Sequence, residues 1–290
     1  MPRKIVITGG DGRLAGRLAA WFSRRRGAEA STLSRRELDI TDRGKVETYV
    51  EAFKPDVVIN TAAMLTETCE KDPAAACHVN AWGPRNLALA CRRVGAVLVQ
   101  ISTSGLFGDE VKAYTEYDPA ALKTVYAKSK FAGEQLVREH CPRHIVLRLG
   151  WLYGSGLDGK PDFVTARIHE AKGRETIESA GDKHGTPVFA DDAAAVLDRL
   201  VDGEEYGVFH AACQGESGCS RAEYVSAVLR AAGSSTLVQA ISSGGFPRLA
   251  NVPDCEMMDS LNLEFAGVGK LPPWRESLER YVSELRERGL

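Results

Sequence analysis

Residues 4–16 read K-I-V-I-T-G-G-D-G-R-L-A-G, an apolar run followed by a glycine-crowded junction and the first residues of a helical pattern. Lys4-Ile5-Val6-Ile7 has the β-branched composition of a buried strand. Leu14, Leu18, Trp21 and Phe22 then recur at helical spacing. Between the two, Gly9, Gly10 and Gly12 let the backbone turn sharply and let a ligand's phosphates approach amide N–H groups at a helix N-terminus, where the dipole favours an anion. The spacing Gly9-x-x-Gly12-x-x-Ala15 differs from the common G-x-G-x-x-G of dinucleotide-binding turns. Alone it supports two readings, a dinucleotide cradle or a plain connection between strand and helix.

Working outward, β-rich runs alternate with helical patterns through the first half of the chain. Strands are expected at Ile5–Thr8, Ala30–Leu33, Val57–Asn60, Val97–Ser102 and His144–Leu149. Between them Val46, Tyr49, Val50 and Phe53 mark one helix, and Pro73 starts a long one that continues through Asn86, Leu87, Ala90 and Val94. That alternation predicts an α/β fold, a doubly wound parallel sheet of Rossmann-like type. Beyond Gly150 the regularity breaks. A helix is expected at Asp162–Lys172, another at Asp191–Val201, a strand at Gly207–Ala212, a helix N-capped by Ser220 and running to Ala232, and an amphipathic C-terminal helix carrying Trp274, Leu278, Tyr281, Val282 and Leu285. The expected division is a dinucleotide-binding domain at 1–150 plus about 186–212, with a smaller interleaved C-terminal substrate lobe at about 151–185 and 213–290.

Composition narrows the function classes. A net charge of −2 at pH 7 gives no electrostatic case for nucleic acid or an anionic membrane surface. Arg24-Arg25-Arg26 falls at the end of the first helix, where cations complement the dipole, and reads as a solvated helix end. Seven cysteines without a C-x-x-C pair read as buried or incidental thiols, with no disulfide frame and no metal site. The first residues enter a strand directly and no apolar stretch approaches the ~18 residues of a membrane span. A soluble, cytoplasmic protein is expected.

The chemistry centres on Y-A-K-S-K, Tyr126 to Lys130. Tyrosine and lysine four positions apart share one helix face, so the Lys130 ammonium can stabilise a Tyr126 phenolate and draw its pKa toward neutrality. A tyrosine so tuned exchanges a proton with a carbonyl oxygen. The run Q-I-S-T-S-G-L-F-G, Gln100 to Gly108, leaves a buried strand at its C-terminal end, where open α/β sheets bind ligands. There Thr103 offers a hydroxyl to the same carbonyl, or else caps the strand end. At the end of the second strand, Leu33-Ser34-Arg35-Arg36 lacks the acid that takes both ribose hydroxyls of NAD, and its arginines can clamp a 2′-phosphate. NADPH is therefore the expected cofactor and NADH the alternative, with Glu37 and Asp39 close by.

These features, together with Asp39-Ile40, Asn60-Thr61-Ala62-Ala63, Cys69-Glu70 before Pro73, and Val79-Asn80 with Gly83 and Asn86, resemble the extended short-chain dehydrogenase/reductase superfamily. Trp151-Leu152-Tyr153-Gly154 after Arg148, Gly185-Thr186-Pro187 and Leu271-Pro272-Pro273-Trp274 resemble, within it, the dTDP-4-dehydrorhamnose reductases and related nucleotide-sugar ketoreductases. The resemblance spans nearly the whole chain. It implies a cofactor site around Gly9, Gly12, Arg13, Leu14, Ser34, Arg35, Asp39, Ile40, Ala62, Ala63, Asn80, Tyr126 and Lys130. It implies catalysis by Thr103, Tyr126 and Lys130, with Lys130 also holding the nicotinamide ribose. Asn80 has a second reading as a structural bridge, and Trp151 as a core aromatic rather than a neighbour of the sugar. Ser104, Trp151, Lys183, His184 and Arg248 are the candidate substrate residues.

The implied partner is a small nucleotide sugar, a 4-keto-6-deoxysugar, and a homodimer is admitted. The chain departs from the family pattern at several places. Thr103-Ser104-Gly105 stands for Thr-Asp-Tyr, and Lys183 stands for Gln. Arg17 stands where some relatives carry a carboxylate tied to a magnesium-bridged dimer, and the segment 251–260 matches poorly. Ser104-Gly105 also lacks the Asp-Glu pair of a 4,6-dehydratase, which leaves reduction, with epimerisation or a non-catalytic NADP-binding regulatory subunit as alternatives.

Overall fold

The computed structural model describes residues 2–158, 160–246 and 249–289. In chain order the first half comprises β1 (Arg3–Thr8), α1 (Arg13–Ser23), β2 (Ala28–Leu33), α2 (Arg43–Phe53), β3 (Val57–Asn60), α3 (Thr66–Lys71), α4 (Pro73–Cys77), α5 (Gly83–Val94), β4 (Val97–Thr103), α6 (Val125–His140) and β5 (His144–Leu149). The second half comprises β6 (Trp151–Tyr153), α7 (Phe163–Ala171), β7 (Thr176–Ala180), β8 (His184–Gly185), β9 (Pro187–Phe189), α8 (Ala190–Asp202), β10 (Gly207–His210), β11 (Cys219–Ser220), α9 (Arg221–Ala231), β12 (Leu237–Ile241), β13 (Cys255–Glu256), α10 (Leu261–Phe265) and α11 (Trp274–Glu287).

The main sheet is six-stranded, in the order β2-β1-β3-β4-β5-β10, and every pairing in it is parallel. A parallel sheet needs helical crossovers that cover both faces. One face packs α1 and α8 through Leu14, Leu18, Phe22, Leu197 and Leu200, in a cluster that extends to Leu278 and Tyr281 of α11. The other packs α2, α5 and α6 through Val46, Val50, Leu87, Cys91 and Val137. Because both faces are covered, Val57-Val58-Ile59-Asn60 is wholly buried, and this is why its sequence shows no polar alternation. The fold is the expected Rossmann-like α/β architecture.

Three expectations shift at their edges. The helix begun at Pro73 is interrupted by a π-helical turn at His78–Trp82. It leads into α5, whose partner α6 approaches so closely that a Cβ on Gly133 would lie 2.2 Å from the Asn80 carbonyl oxygen. The strand expected to reach Ala212 ends at His210, whose ring is buried between the carbonyls of Tyr114 and Asp259. Arg25 does not end α1 in solvent; it pairs with Asp198 and Asp202 at the end of α8.

The second half builds a three-stranded minisheet, β11-β8-β13, beside the C-terminal ends of the main strands. Its register sets Ser220 opposite His184, and Glu256 opposite Gly185. Three chain segments remote in sequence thus meet at one edge. Ser220 and Glu223 form the expected cap of α9 as a reciprocal capping box, and Asp162 caps α7 in the same way with Thr165. Among the described residues no helix is long and apolar enough to cross a membrane.

Candidate active site

The glycine turn tests whether a dinucleotide fits. Gly9 has φ +73°, and a Cβ there would lie 2.7 Å from the Ala62 amide nitrogen. A Cβ on Gly12 would lie 2.9 Å from the Gly9 carbonyl oxygen. The turn therefore presses its bare backbone against the loop after β3, and only glycine allows that approach. Gly12 is the N-cap of α1 and supplies no side-chain cap, so amide donors at this helix start are available to an anion. The residues fit a pyrophosphate. Arg13 is exposed here, while Leu14 is buried in the core. Lys160, missed from sequence, reaches back to donate to the Asp11 and Gly12 carbonyls at 3.2 Å each. No local spacing announces a lysine that comes from so far along the chain.

A buried polar seam fixes the strand ends beneath this cradle. Thr8 Oγ1 donates to Asn60 Oδ1 at 2.6 Å, and Asn60 Nδ2 donates to Gln100 Oε1 at 2.7 Å. These side chains are register partners on β1, β3 and β4. At the end of β2, the Ser34 amide and hydroxyl both donate to Glu37 at 2.7 Å, which holds that exposed carboxyl below its ordinary range. Arg35 donates to Asp39 at 3.1 Å yet is 78% exposed. Burial opposes ionisation of Asp39, but its bonds from Thr41 and Arg35 prevail and hold the carboxyl below its usual value. Ile40 is buried against Gly83, Ala62 is half-buried and Ala63 is exposed.

Asn80 is turned into the structure. Its Oδ1 accepts from the Met64 amide at 2.8 Å, and its Nδ2 donates to the Met64 carbonyl and to Ser129 Oγ at 3.0 Å each. It bridges the loop after β3 to α6, the second of the two roles open from sequence. Helix α6 begins with Thr124 accepting from the Ala127 amide, and Glu70 accepts from the Val125 amide at 2.7 Å. Two caps thus fix the turn that carries Tyr126, and Glu70 is a positioning group that the sequence motif contained without revealing its task.

Thr103 ends β4 and its Oγ1 accepts from the Gly105 amide at 3.0 Å, while its hydroxyl also bonds the Tyr126 oxygen and favours the ionised form. Burial dominates, however, and the Tyr126 pKa is raised to about 12, with the Cys69 thiol and the Glu256 carboxyl adding to the rise. The expectation that Lys130 draws this phenol toward neutrality is not met in the structure. Lys130 donates to the Ile101 carbonyl at 2.6 Å, and burial lowers its own pKa to about 8 against the opposing charge of Glu134. Glu134 in turn is clamped by Nε and Nη2 of Arg148, at 3.0 and 2.7 Å.

Next to these groups opens a cleft of about 760 Å³ lined by Trp151, Arg167, Lys183, His184, Arg221 and Glu256. Trp151 is held on two sides. A Cβ on Gly185 would sit 2.2 Å from its ring, and the Arg221 guanidinium lies 3.4 Å above its ring centroid. Lys183 donates to Asp254 at 2.5 Å and to the Val252 carbonyl at 3.1 Å, so it fastens the cleft wall. His184 bonds through its backbone amide to the Asp254 carbonyl, and its Nδ1 is buried without a hydrogen-bond partner among the described residues. Ser104 is buried behind the cleft, and Arg248 lies outside the described residues. Arg221 opens α9 and Glu256 ends the two-residue β13; both escaped sequence reasoning because only tertiary pairing through β8 brings those segments to the cleft.

Arg17 donates to Asp191 at 2.9 and 2.5 Å and to Asp158 at 3.4 Å. Its buried guanidinium thus ties α1 to two carboxylates of the second half. Among the described residues no group of three or more His, Cys, Asp or Glu side chains is arranged to hold a metal.

Comparison with known proteins agrees with this architecture. A family model described as RmlD substrate binding domain matches residues 3–287. A dTDP-4-dehydrorhamnose reductase of Mycobacterium tuberculosis is 37% identical over 95% of this chain and 91% of its own length. That of Mycolicibacterium smegmatis is 36% identical over 98% of this chain and 86% of its own. The Bacillus anthracis dTDP-4-dehydrorhamnose reductase, solved in complex with NADP, superimposes with a TM-score of 0.92 at 31% identity, covering 98% of this chain and 100% of that one. With a matching fold, a glycine cradle and a Thr-Tyr-Lys constellation at the strand ends, the chain belongs to the RmlD family of dTDP-4-dehydrorhamnose reductases, within the extended short-chain dehydrogenase/reductases.

Proposed function

We propose that this protein reduces the 4-keto group of dTDP-4-dehydrorhamnose with NADPH. The observation that carries the reading is the meeting of Thr103, Tyr126 and Lys130 at the end of β4, between a pyrophosphate-shaped glycine turn and a cleft with cations on its wall. NADPH, when bound, supplies the hydride for the carbonyl carbon. Thr103 Oγ donates to the carbonyl oxygen. Tyr126 gives that oxygen its proton, and a phenol held at about 12 is fully protonated at neutral pH and ready to donate. Lys130, still charged below pH 8, offsets the negative charge left on the phenolate. The NADP-bound relative and the absence of an acid at position 34 support NADPH as the cofactor.

The cations Arg167, Lys183 and Arg221 on the cleft wall suit a nucleoside diphosphate, and Trp151 lines the same cleft. Cytoplasmic residence fits the seven free cysteines, six of them buried. The test is Tyr126→Phe, which keeps the ring and removes the proton. It should lower kcat by on the order of 10²–10⁴ with NADPH affinity intact. Parental turnover by that variant would refute the mechanism and return weight to a regulatory role.

A further inference from the structure

The sequence places no carboxylate after Thr103, yet the fold delivers one there. Glu256 sits on β13, in register with Gly185, and its Oε2 accepts from Trp151 Nε1 at 2.7 Å. Its Oε1 lies 3.1 Å from the point where a Cβ on Gly105 would stand, and that point is 3.3 Å from Thr103 Oγ1. The carboxyl also feels Tyr126 closely enough to help raise its pKa. Glu256 therefore lies between the N–H edge of the Trp151 indole and the Thr103–Tyr126 pair, in space left open because residue 105 has no side chain.

We propose that Glu256 is a substrate-binding residue that accepts a hydrogen bond from the C3 hydroxyl of the ketosugar and so sets specificity for a sugar bearing that group. The inference rests on the reductase reading. A carbonyl at C4 held by Thr103 and Tyr126 has two carbon neighbours, C5 bearing the methyl group and ring oxygen, and C3 bearing a hydroxyl. Only the second offers a donor to a carboxylate beside the carbonyl. A carboxylate has about four lone-pair sites, so a bond from the sugar hydroxyl can stand beside that from Trp151. A charge-assisted bond of this kind also holds the ring against rotation about the axis through the carbonyl.

The experiment measures NADPH oxidation with dTDP-4-dehydrorhamnose and with its 3-deoxy analogue, for the parent, Glu256→Gln, Glu256→Ala and Gly105→Ala. On the full substrate each Glu256 variant should lose about 10–150-fold in kcat/KM, the size of a hydrogen bond to a charged group. The parent should lose a similar factor on the 3-deoxy analogue, and Glu256→Ala should lose nothing more there. Gly105→Ala should mimic the loss, since its Cβ would press on Oε1, and should add little in the Glu256→Ala background. Unchanged Tm and NADPH affinity exclude misfolding as the cause, and altered values would assign Glu256 a structural role and overturn the proposal. Additive losses, or a Glu256→Ala variant equal to an active parent, overturn it as well. A parent that consumes no NADPH with the full substrate overturns the reductase reading, and the inference with it.

Discussion

The depressed pKa of Lys130 makes a prediction about the alkaline limb of the pH profile. A free lysine titrates near about 10.4, whereas burial brings Lys130 to about 8. Under the proposed mechanism reduction needs the ammonium, to offset the negative charge on the phenolate that the departing proton leaves at Tyr126. Raising the pH through 8 removes that charge, so kcat/KM for the sugar nucleotide should fall tenfold per pH unit, to about one-hundredth of its plateau at pH 10. Tyr126, at about 12, keeps its proton over this range and cannot cause the limb. Nor does unfolding explain it. Between about 8 and the ordinary lysine value the unfolded chain holds a proton that the folded chain has lost, so the contribution of Lys130 to stability rises with pH across that window. Lys130→Arg keeps a charge at every pH; it should be slower, since a guanidinium fits the site of an ammonium poorly, but its profile should be flat to pH 10. The assay is initial-rate NADPH oxidation across pH 6 to about 10.5, with circular dichroism at each pH. A parent profile flat to pH 10, or a Lys130→Arg profile with the parental limb, would refute the reasoning.

Other perturbations test the cradle and its supports. Gly9→Ala forces a side chain into φ +73° against the Ala62 amide; it should cost about 1–3 kcal/mol in strain and weaken NADPH binding, as read by thermal melting and cofactor fluorescence. Arg17→Ala removes a buried guanidinium from Asp191 and Asp158 and should lower stability by about 3 kcal/mol, seen as a fall of several degrees in Tm; a variant melting with the parent would show the pair to be thermodynamically idle. Replacing Arg35 and Arg36 by alanine should narrow the preference for NADPH over NADH roughly tenfold, given that Arg35 is exposed and tied at its Nε to Asp39. An unchanged ratio of the two dissociation constants would move 2′-phosphate recognition elsewhere.

The parts of the fold legible in the sequence are those that local chemistry dictates. Val57–Asn60 is apolar without alternation because two helical layers cover it, and Ser220 with Glu223, three residues apart, announces the start of α9. The glycine turn and the Tyr126–Lys130 pair are legible for the same reason, each being a short segment whose spacing already contains its geometry. The pKa of Tyr126 was not legible. Shared helix face suggested a lowered value, but ionisation depends on burial, and Lys130 is bonded to a carbonyl of β4 that no helical spacing reveals.

The substrate side was the least legible, and its construction explains why. Trp151, His184 and Glu256 of the cleft wall stand on β6, β8 and β13, strands of two or three residues that draw together segments remote in sequence. Strands so short have no period to read, and their pairing is fixed by tertiary packing around Trp151. Glycine at 105 and at 185 matters there for what it admits, a carboxylate at one and an indole at the other. A glycine in sequence records only that a side chain is missing; the group that fills the gap is chosen by a segment some 150 residues further on in one case and about 34 residues back in the other. The proposed sugar pocket is therefore built on complementary pairs, Gly105 with Glu256 and Gly185 with Trp151, so that changing Glu256 or Trp151 should alter that pocket while leaving the cofactor cradle in place.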